Sequence, residues 1–216
     1  HFDLGDTKTA IEKVDTLLLR APYYVPAHAM RYEIVFEQGI PIDEALAPFR
    51  VAADEASDNT PLQTALAAAL FSSGLHDEAL QLVSRLRERD DQPALAALHA
   101  QTWLKLRQPD EALRSLAQSP KAWLDQPRLA ETLAKSLIAH QDPAKASAVL
   151  HNALLKSPFD QALLATQSIA WRLLDDPREQ WLCDYDRFVW RIKLRDDHLA
   201  ALEQYLRGAH QNRREP

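Results

Sequence analysis

Apolar residues recur at helical spacing along the chain, and the same arrangement returns after short turns. Between residues 62 and 70, leucines and alanines lie three or four positions apart, which places them on one face of a helix. A similar stretch follows between residues 79 and 86. No segment shows the period-two alternation, bounded by hairpin turns, that is typical of β-strands. The pattern predicts an all-α protein built from pairs of helices.

An internal repeat organises these helix pairs. The string Asp-Glu-Ala-Leu begins at Asp43, Asp77 and Asp110. Its alanine belongs to a first ladder of small residues with intervals of 35, 34, 33 and 34, formed by Ala10, Ala45, Ala79, Ala112 and Ala146. A second ladder, with intervals of 33, 34 and 34, is formed by Ala67, Ala100, Ala134 and Ser168. Because helices approach closely only where both carry small side chains, the ladders mark helix crossings.

Glycines and prolines mark the turns of the repeat. Gly5 and Gly74 each lie five residues before an alanine of the first ladder, where a left-handed residue would end a helix. Pro109, Pro143 and Pro177 recur every 34 residues. At the first turn of a helix the missing N–H of proline costs nothing, so each proline is predicted to open the second helix of a pair.

Three local features add detail to this pattern. Asp176 is predicted to cap a helix, with Glu179 three residues later as in a capping box. Pro48 falls inside a predicted helix and is expected to bend or break it. The extra residue of the single 35-residue interval is assigned to the turn at residues 39–42.

These ladders resemble the tetratricopeptide repeat family over nearly the whole chain. The family's pattern is kept best at Ala134, Ala146, Ala153 and Pro158. The resemblance implies a right-handed α-solenoid of about five to six helical hairpins over residues 1–190. Residues 191–216 are then expected to form a capping helix, with an apolar stripe that includes Leu194, or a linker to a further domain.

A solenoid of this kind presents an extended concave surface, lined by the first helix of each pair. The repeat register places six polar residues on that surface as candidates for binding a protein or peptide: Gln101, Lys105, Arg128, Glu131, Lys135 and Arg172. Simple solubility explains these positions equally well. No asparagine occupies such a position, so the carboxylate clamp of chaperone-binding members of the family is not supported.

No catalytic or metal-binding pattern in the sequence is convincing. His140 and Asp142 have the spacing of an iron-binding pair, but they fall in a predicted turn between repeat helices, which favours a structural role. Cys183 has no histidine within ten residues and is interpreted as a small core residue. Neither a zinc-ligand pattern nor a glycine-rich phosphate loop is found. The sequence predicts no cofactor, no catalytic residue and no metal site.

The five tryptophans are interpreted mainly as packing residues. Trp103 and Trp171 occupy equivalent positions two repeats apart, which favours a place between helices over a ligand cage. Trp181 and Trp190 are expected to cover the terminal hydrophobic edge or to meet a neighbouring domain.

Charge and composition indicate which kinds of partner and location to expect. The net charge is −6, and residues 1–91 hold 8 Lys and Arg against 16 Asp and Glu, which is unlike a nucleic-acid binder. No apolar segment is long enough to span a membrane. A single cysteine suits a reducing compartment, so a cytoplasmic location is expected. Since Met30 is the only methionine, we expect the chain to be part of a longer protein.

The segment from Trp181 to Val189 resembles the junction in bacterial proteins between tetratricopeptide repeats and a 2-oxoglutarate/iron(II)-dependent oxygenase domain. The resemblance implies a catalytic barrel after Pro216, so this chain holds none of the iron ligands. We therefore expect a non-catalytic interaction scaffold, which is the recognition arm of such an oxygenase. Two alternatives stay open: the C-terminal helices complete the oxygenase active site, or the chain is a structural module that self-associates as a homodimer.

Overall fold

The computed structural model describes residues 7–184, residue 187 and residues 196–211. The chain divides into two compact units, residues 1–176 and residues 177–216. The described helices of the first unit are α1 (Thr7–Arg20), α2 (Val25–Glu37), α3 (Ile42–Glu55), α4 (Thr60–Ser72), α5 (His76–Arg89), α6 (Pro93–Lys105), α7 (Pro109–Ala117), α8 (Pro127–Ala139), α9 (Pro143–Lys156) and α10 (Gln161–Leu173). A single 3₁₀ turn, Lys121–Trp123, follows α7. The second unit contains α11 (Arg178–Leu182) and α12 (Asp196–Gln211).

The helices of the first unit form a regular stack of pairs. The even-numbered helices α2 to α10, here called the first helices, each contact the next first helix along the chain. The odd-numbered helices α1 to α9, here called the second helices, pack between the first helices on one side of the row. No strand occurs among the described residues, so the prediction of an all-α helical-repeat fold is confirmed.

The alanines of both ladders are buried where helices pack together, as predicted, whereas Ser168 of the second ladder is only half-buried. In the first ladder, Ala79, Ala112 and Ala146 have 0% exposed surface, and Ala67, Ala100 and Ala134 of the second ladder have the same value. Leucines close the space beside them, and Leu62, Leu116, Leu129 and Leu150 are at most 1% exposed. Each such leucine contributes about 1.5–3 kcal/mol relative to an exposed side chain. The small residues set how closely the helices approach, and the leucines supply most of the burial.

The first helices α4, α6, α8 and α10 all end with one recurring motif. Gly74, Arg107, Gln141 and Asp175 have positive φ angles of 83, 59, 64 and 52°. In each case the next residue donates its N–H to the carbonyl five positions earlier, as in Asp142 to Leu137 at 2.8 Å. This is the Schellman motif, which satisfies the free carbonyls of a helix end. Glycine fills the left-handed position at Gly74 alone among these four, so the sequence revealed one of the four motifs. Gly5 lies outside the described residues.

The prolines and the extra residue follow the predictions with two corrections. Pro109 and Pro143 open α7 and α9, and four residues separate α2 from α3 where three separate α4 from α5. Pro48, however, does not break α3, which runs through it as one helix. Its buried neighbours Leu46 and Phe49, at 0% and 2% exposure, hold the helix against the core and outweigh the loss of one backbone hydrogen bond.

The second correction concerns the cap of α11. Its N-cap is Pro177 and the helix begins at Arg178, one residue later than the predicted cap at Asp176 requires. Trp181 in the same helix is 77% exposed. The apolar stripe of α12 is about half open, since Leu199, Leu202 and Leu206 are 42%, 43% and 50% exposed. Leu194 and Trp190 lie outside the described residues, so the capping role and the boundary after residue 190 stay predictions.

Candidate functional site

The first helices α2, α4, α6 and α8 form the candidate surface, and each carries one large apolar residue at an equivalent position. This residue lies four positions after Tyr32 in α2 and four positions after the small residue of the second ladder in the other three helices. We call this set the apolar ladder, and it consists of Phe36, Phe71, Leu104 and Ile138. Phe71, Leu104 and Ile138 pack partly on the core, and Phe36 stays 41% exposed. The ladder therefore offers a line of apolar surface across four successive helices.

The structure places the six predicted binding residues on three first helices. Gln101 and Lys105 lie on α6, Arg128, Glu131 and Lys135 on α8, and Arg172 on α10. Lys105, Arg128, Lys135 and Arg172 are exposed, whereas Gln101 and Glu131 are half-buried. No observation on the structure tests whether these residues bind a ligand, and they stay predictions.

Two of the six residues already make contacts within the chain. The side-chain amide of Gln101 donates a hydrogen bond to Thr132 Oγ1 at 3.0 Å, and this bond links α6 to α8. Glu131 forms an ion pair with Lys135 at 2.5 Å along one face of α8. These residues therefore help to fix the surface as well as to line it. Lys105 and Arg128 have no ion-pair partner in the described part of the chain.

The charge of this surface changes along the row of first helices. Helix α2 presents the exposed carboxylates of Glu33 and Glu37 beside the apolar ladder. Two repeats further along, Lys105 and Arg128 present positive charge. A ligand that follows the ladder therefore meets an acidic surface at α2 and a basic surface at α6 and α8.

The pair His140 and Asp142 has a structural role. His140 Nδ1 lies 2.7 Å from Asp110 Oδ1, and Asp142 caps α9 by accepting a hydrogen bond from the backbone N–H of Lys145 at 3.1 Å. The Lys145 side chain hydrogen-bonds the same carboxylate and holds the pKa of Asp142 below its usual value. No group of three His, Cys, Asp or Glu residues suited to a metal ion occurs among the described residues.

Three tryptophans of the first unit pack against neighbouring residues, as the repeat pattern indicates for Trp103 and Trp171. Trp103 packs on the cluster around Ala100 and makes an edge-on contact with His99, with ring centres 6.1 Å apart. Trp123 packs on the same cluster from the 3₁₀ turn after α7. Trp171 is half-buried at the equivalent position of α10. These surroundings are those of packing residues.

The polar residues predicted on the first helices do not reveal the apolar ladder. Phe36, Phe71, Leu104 and Ile138 are spaced by 35, 33 and 34 residues, so the repeat period was the available signal. Without the structure, these residues cannot be distinguished from ordinary core positions. In the described residues no helix is both long and apolar enough to cross a membrane.

Comparison with known proteins supports the repeat assignment. A family model of the tetratricopeptide repeat matches residues 42–102. These residues cover α3 to α5 and most of α6, and the Asp-Glu-Ala-Leu string occurs twice among them. No curated protein gives a significant match to the sequence.

Solved structures share the fold at low sequence identity. A tetratricopeptide repeat protein from Parabacteroides merdae ATCC 43184 superposes with a TM-score of 0.66 and 14% identity, over 89% of this chain and 77% of that one. The pilF protein of Pseudomonas aeruginosa superposes with a TM-score of 0.63 and 16% identity, over 87% of this chain and 86% of that one. A chain of the Cut9–Hcn1 hetero-tetramer of the APC/C superposes with a TM-score of 0.62 and 18% identity, over 84% of this chain and 38% of that one. At such identities the likeness establishes the tetratricopeptide-type fold and nothing further.

Proposed function

We propose that this chain is a non-catalytic interaction scaffold that binds a segment of a partner protein along the open side of its first helices. The observation that carries the proposal is the apolar ladder, Phe36 to Ile138, whose side chains are partly open to solvent on four first helices. Stacked helical repeats present extended surfaces of this kind to their ligands. A solved relative in fold, Cut9–Hcn1, is itself a hetero-tetramer, which is consistent with binding to other proteins.

The charges beside the ladder indicate the chemistry of the bound segment. Apolar side chains of the partner would contact the ladder, and acidic side chains would lie opposite Lys105 and Arg128. Opposite charges across an interface raise the association rate and suppress wrong partners. The expected ligand is therefore a segment that combines apolar and acidic residues.

Peptide selection on the full chain tests this function. Peptides selected from a random library are expected to be rich in apolar and acidic residues. Replacing Lys105 and Arg128 together with glutamate should weaken peptide binding by about tenfold or more, because charge pairs become repulsive. Lys121→Glu, an exposed lysine outside the first helices, is the matched control and should have no such effect. Selected peptides that bind the variant with glutamate at positions 105 and 128 as tightly as the parent protein would overturn the proposal.

The resemblance at Trp181 supports a finer proposal, that the scaffold is the recognition arm of a 2-oxoglutarate/iron(II)-dependent oxygenase in the bacterial cytoplasm. Trp181 and Cys183 lie within the described residues, and most of the segment up to Val189 lies outside them. Sequencing the gene beyond Pro216 tests this idea. A β-rich continuation with a His-x-Asp motif and a later histidine is expected, and a stop codon within a few residues would remove the oxygenase link.

Self-association is a second candidate function, favoured by exposed apolar residues at the end of the first unit. Leu155, Phe159 and Leu173 are 71%, 85% and 55% exposed. Terminal repeats with open apolar faces tend to associate unless they are covered. Sedimentation equilibrium is expected to show a dimer that Phe159→Ser weakens. A monomer at all concentrations would remove this candidate.

A further inference from the structure

Depressions lie between successive second helices of the first unit. The backbones of consecutive second helices, such as α1 and α3 or α3 and α5, stay apart from each other. Each depression is therefore walled by two second helices and floored by the first helix between them. The same architectural position recurs in each repeat, so its lining can be compared from one repeat to the next.

The depressions further along the stack are polar. Between α3 and α5, Arg50 bonds Asp43 at 3.0 Å and Glu78 at 2.9 Å, which ties the two helices together. Between α5 and α7, Arg87 donates to Ser115 Oγ at 2.7 Å. Their cavities of about 330, 210 and 260 Å³ are lined mainly by charged and polar side chains. Water satisfies such surfaces, and they need no partner.

The depression between α1 and α3, here called the α1/α3 gap, is different. Its cavity is about 640 Å³, and most of its surface is apolar. The lining includes Leu19 of α1, Val51 and Glu55 of α3, and Asp15, His28 and Arg31. Leu19 and Val51 are 87% and 56% exposed on opposite walls. The floor is fixed by His28, which is 4% exposed, stacks on Phe49 and reaches the carbonyl oxygen of Pro22 at 2.7 Å.

The charges of the α1/α3 gap leave it acidic. Arg31 donates to Asp15 Oδ1 at 2.7 Å, so these two charges compensate each other. Glu55 is exposed and has no ion-pair partner in the described part of the chain. The surrounding half of the protein is acidic as well, with 8 Lys and Arg against 16 Asp and Glu in residues 1–91. Because of this charge, a second copy of the same face is a poor partner and a basic segment a good one.

We propose that the α1/α3 gap binds an amphipathic helix of a partner protein, with its apolar stripe between Leu19 and Val51 and a lysine or arginine opposite Glu55. A cavity of this volume is within the range of about 300–1,000 Å³ that specific ligand sites occupy. A groove between two helices accepts the ridge of a third, which favours a helix over an extended strand. This site lies away from the apolar ladder and does not depend on the function proposed for it.

Two designed peptides of about 18 residues test the site, each with leucine at positions i, i+3, i+4 and i+7 of its helix. One carries lysine on its polar face and the other glutamate. Binding to the full 216-residue chain is measured by fluorescence anisotropy in about 0.15 M salt, so that long-range attraction is screened. The lysine peptide is expected to bind, and the glutamate peptide is not.

Substitutions in the gap locate the binding. Val51→Asp and Leu19→Ala should each weaken the binding of the lysine peptide by about tenfold, because apolar contact is lost at the centre of the interface. Glu55→Gln should weaken it less. Both apolar positions are exposed, so the variants are expected to fold, and thermal unfolding checks this. Leu155→Asp adds the same charge to an exposed leucine of α9 and should change nothing.

Three outcomes contradict the proposal. The first is equal binding of the lysine peptide to the parent protein and to both apolar variants. The second is equal binding of the two peptides. The third is a concentration-dependent dimer in light scattering that Val51→Asp abolishes, which would make a second copy of this chain the occupant of the gap.

Discussion

Gln141 adopts the same left-handed backbone conformation as Gly74 two repeats earlier, with φ angles of 64° and 83°. Both residues end a first helix in a Schellman motif. Glycine reaches this conformation without strain, whereas a residue with a Cβ atom is disfavoured by roughly 1–2 kcal/mol. The repeat geometry therefore imposes the conformation on glutamine.

Gln141→Gly is expected to stabilise the protein by about 0.5–1 kcal/mol, because relief of the strain exceeds the entropy that glycine loses on folding. Urea unfolding followed by circular dichroism measures the change. Gln81→Gly, in the middle of α5, is the control and should destabilise by about 1 kcal/mol. Destabilisation by both substitutions would show that the left-handed position is not strained.

Ala134→Leu is expected to destabilise the protein by about 1–3 kcal/mol or more, since its side chain is 0% exposed at a helix crossing and the added atoms must push α8 and α9 apart. Thermal unfolding measures the loss. Ala148→Leu on the exposed side of α9 is the control and should be nearly neutral. An unchanged Tm for Ala134→Leu would mean that the crossing lies elsewhere.

Asn59 caps α4 by accepting a hydrogen bond from the backbone N–H of Leu62 at 3.1 Å. Asn59→Ala is expected to cost about 1 kcal/mol, because that N–H loses its partner. Gln126 is the N-cap of α8 and makes no such side-chain bond, so Gln126→Ala should cost much less. Equal losses in urea unfolding would argue against a capping contribution.

His99 belongs to a hydrogen-bonded cluster that requires its neutral form. Arg87 Nη1 lies 3.1 Å from His99 Nδ1, so Nδ1 accepts, and Nε2–H then donates to Ser84 Oγ at 3.1 Å. Burial, and secondly the charge of Arg87, lower the pKa of His99 from 6.5 to about 4, against a smaller raising effect of Asp91. The unfolded chain therefore binds a proton between these pH values that the folded chain does not.

The stability that neutral His99 contributes is present above pH 6.5 and is lost as the pH falls towards 4. We expect a loss of about 1–2 kcal/mol, because the ring is partly open to solvent and its interactions are screened. Urea unfolding at several pH values measures the loss. His99→Gln should reduce the slope of the free energy of unfolding against pH over this range. His151→Gln, at an exposed position of α9, should keep the parent slope. Identical slopes in all three proteins would show that His99 does not contribute.

The order of residues alone was enough to predict the class of fold and the period of the repeat. Small residues such as Ala79 and Ala112 recur where helices cross, and this requirement is local enough to be read from spacing. It also placed the turns at Pro109 and Pro143 and located the extra residue before α3. These features depend on contacts within one helix pair, which the order of residues specifies directly.

The tertiary structure decided what depends on residues far apart in the chain. The bond from Gln101 to Thr132 joins positions in successive repeats, and the passage of α3 through Pro48 depends on burial against neighbouring helices. The left-handed conformation of Gln141 follows from hydrogen bonds that a glycine search does not detect. The apolar lining of the α1/α3 gap likewise exists only once two helices from different repeats face each other. In each case the deciding energy comes from contacts between helices, and sequence spacing alone does not specify them.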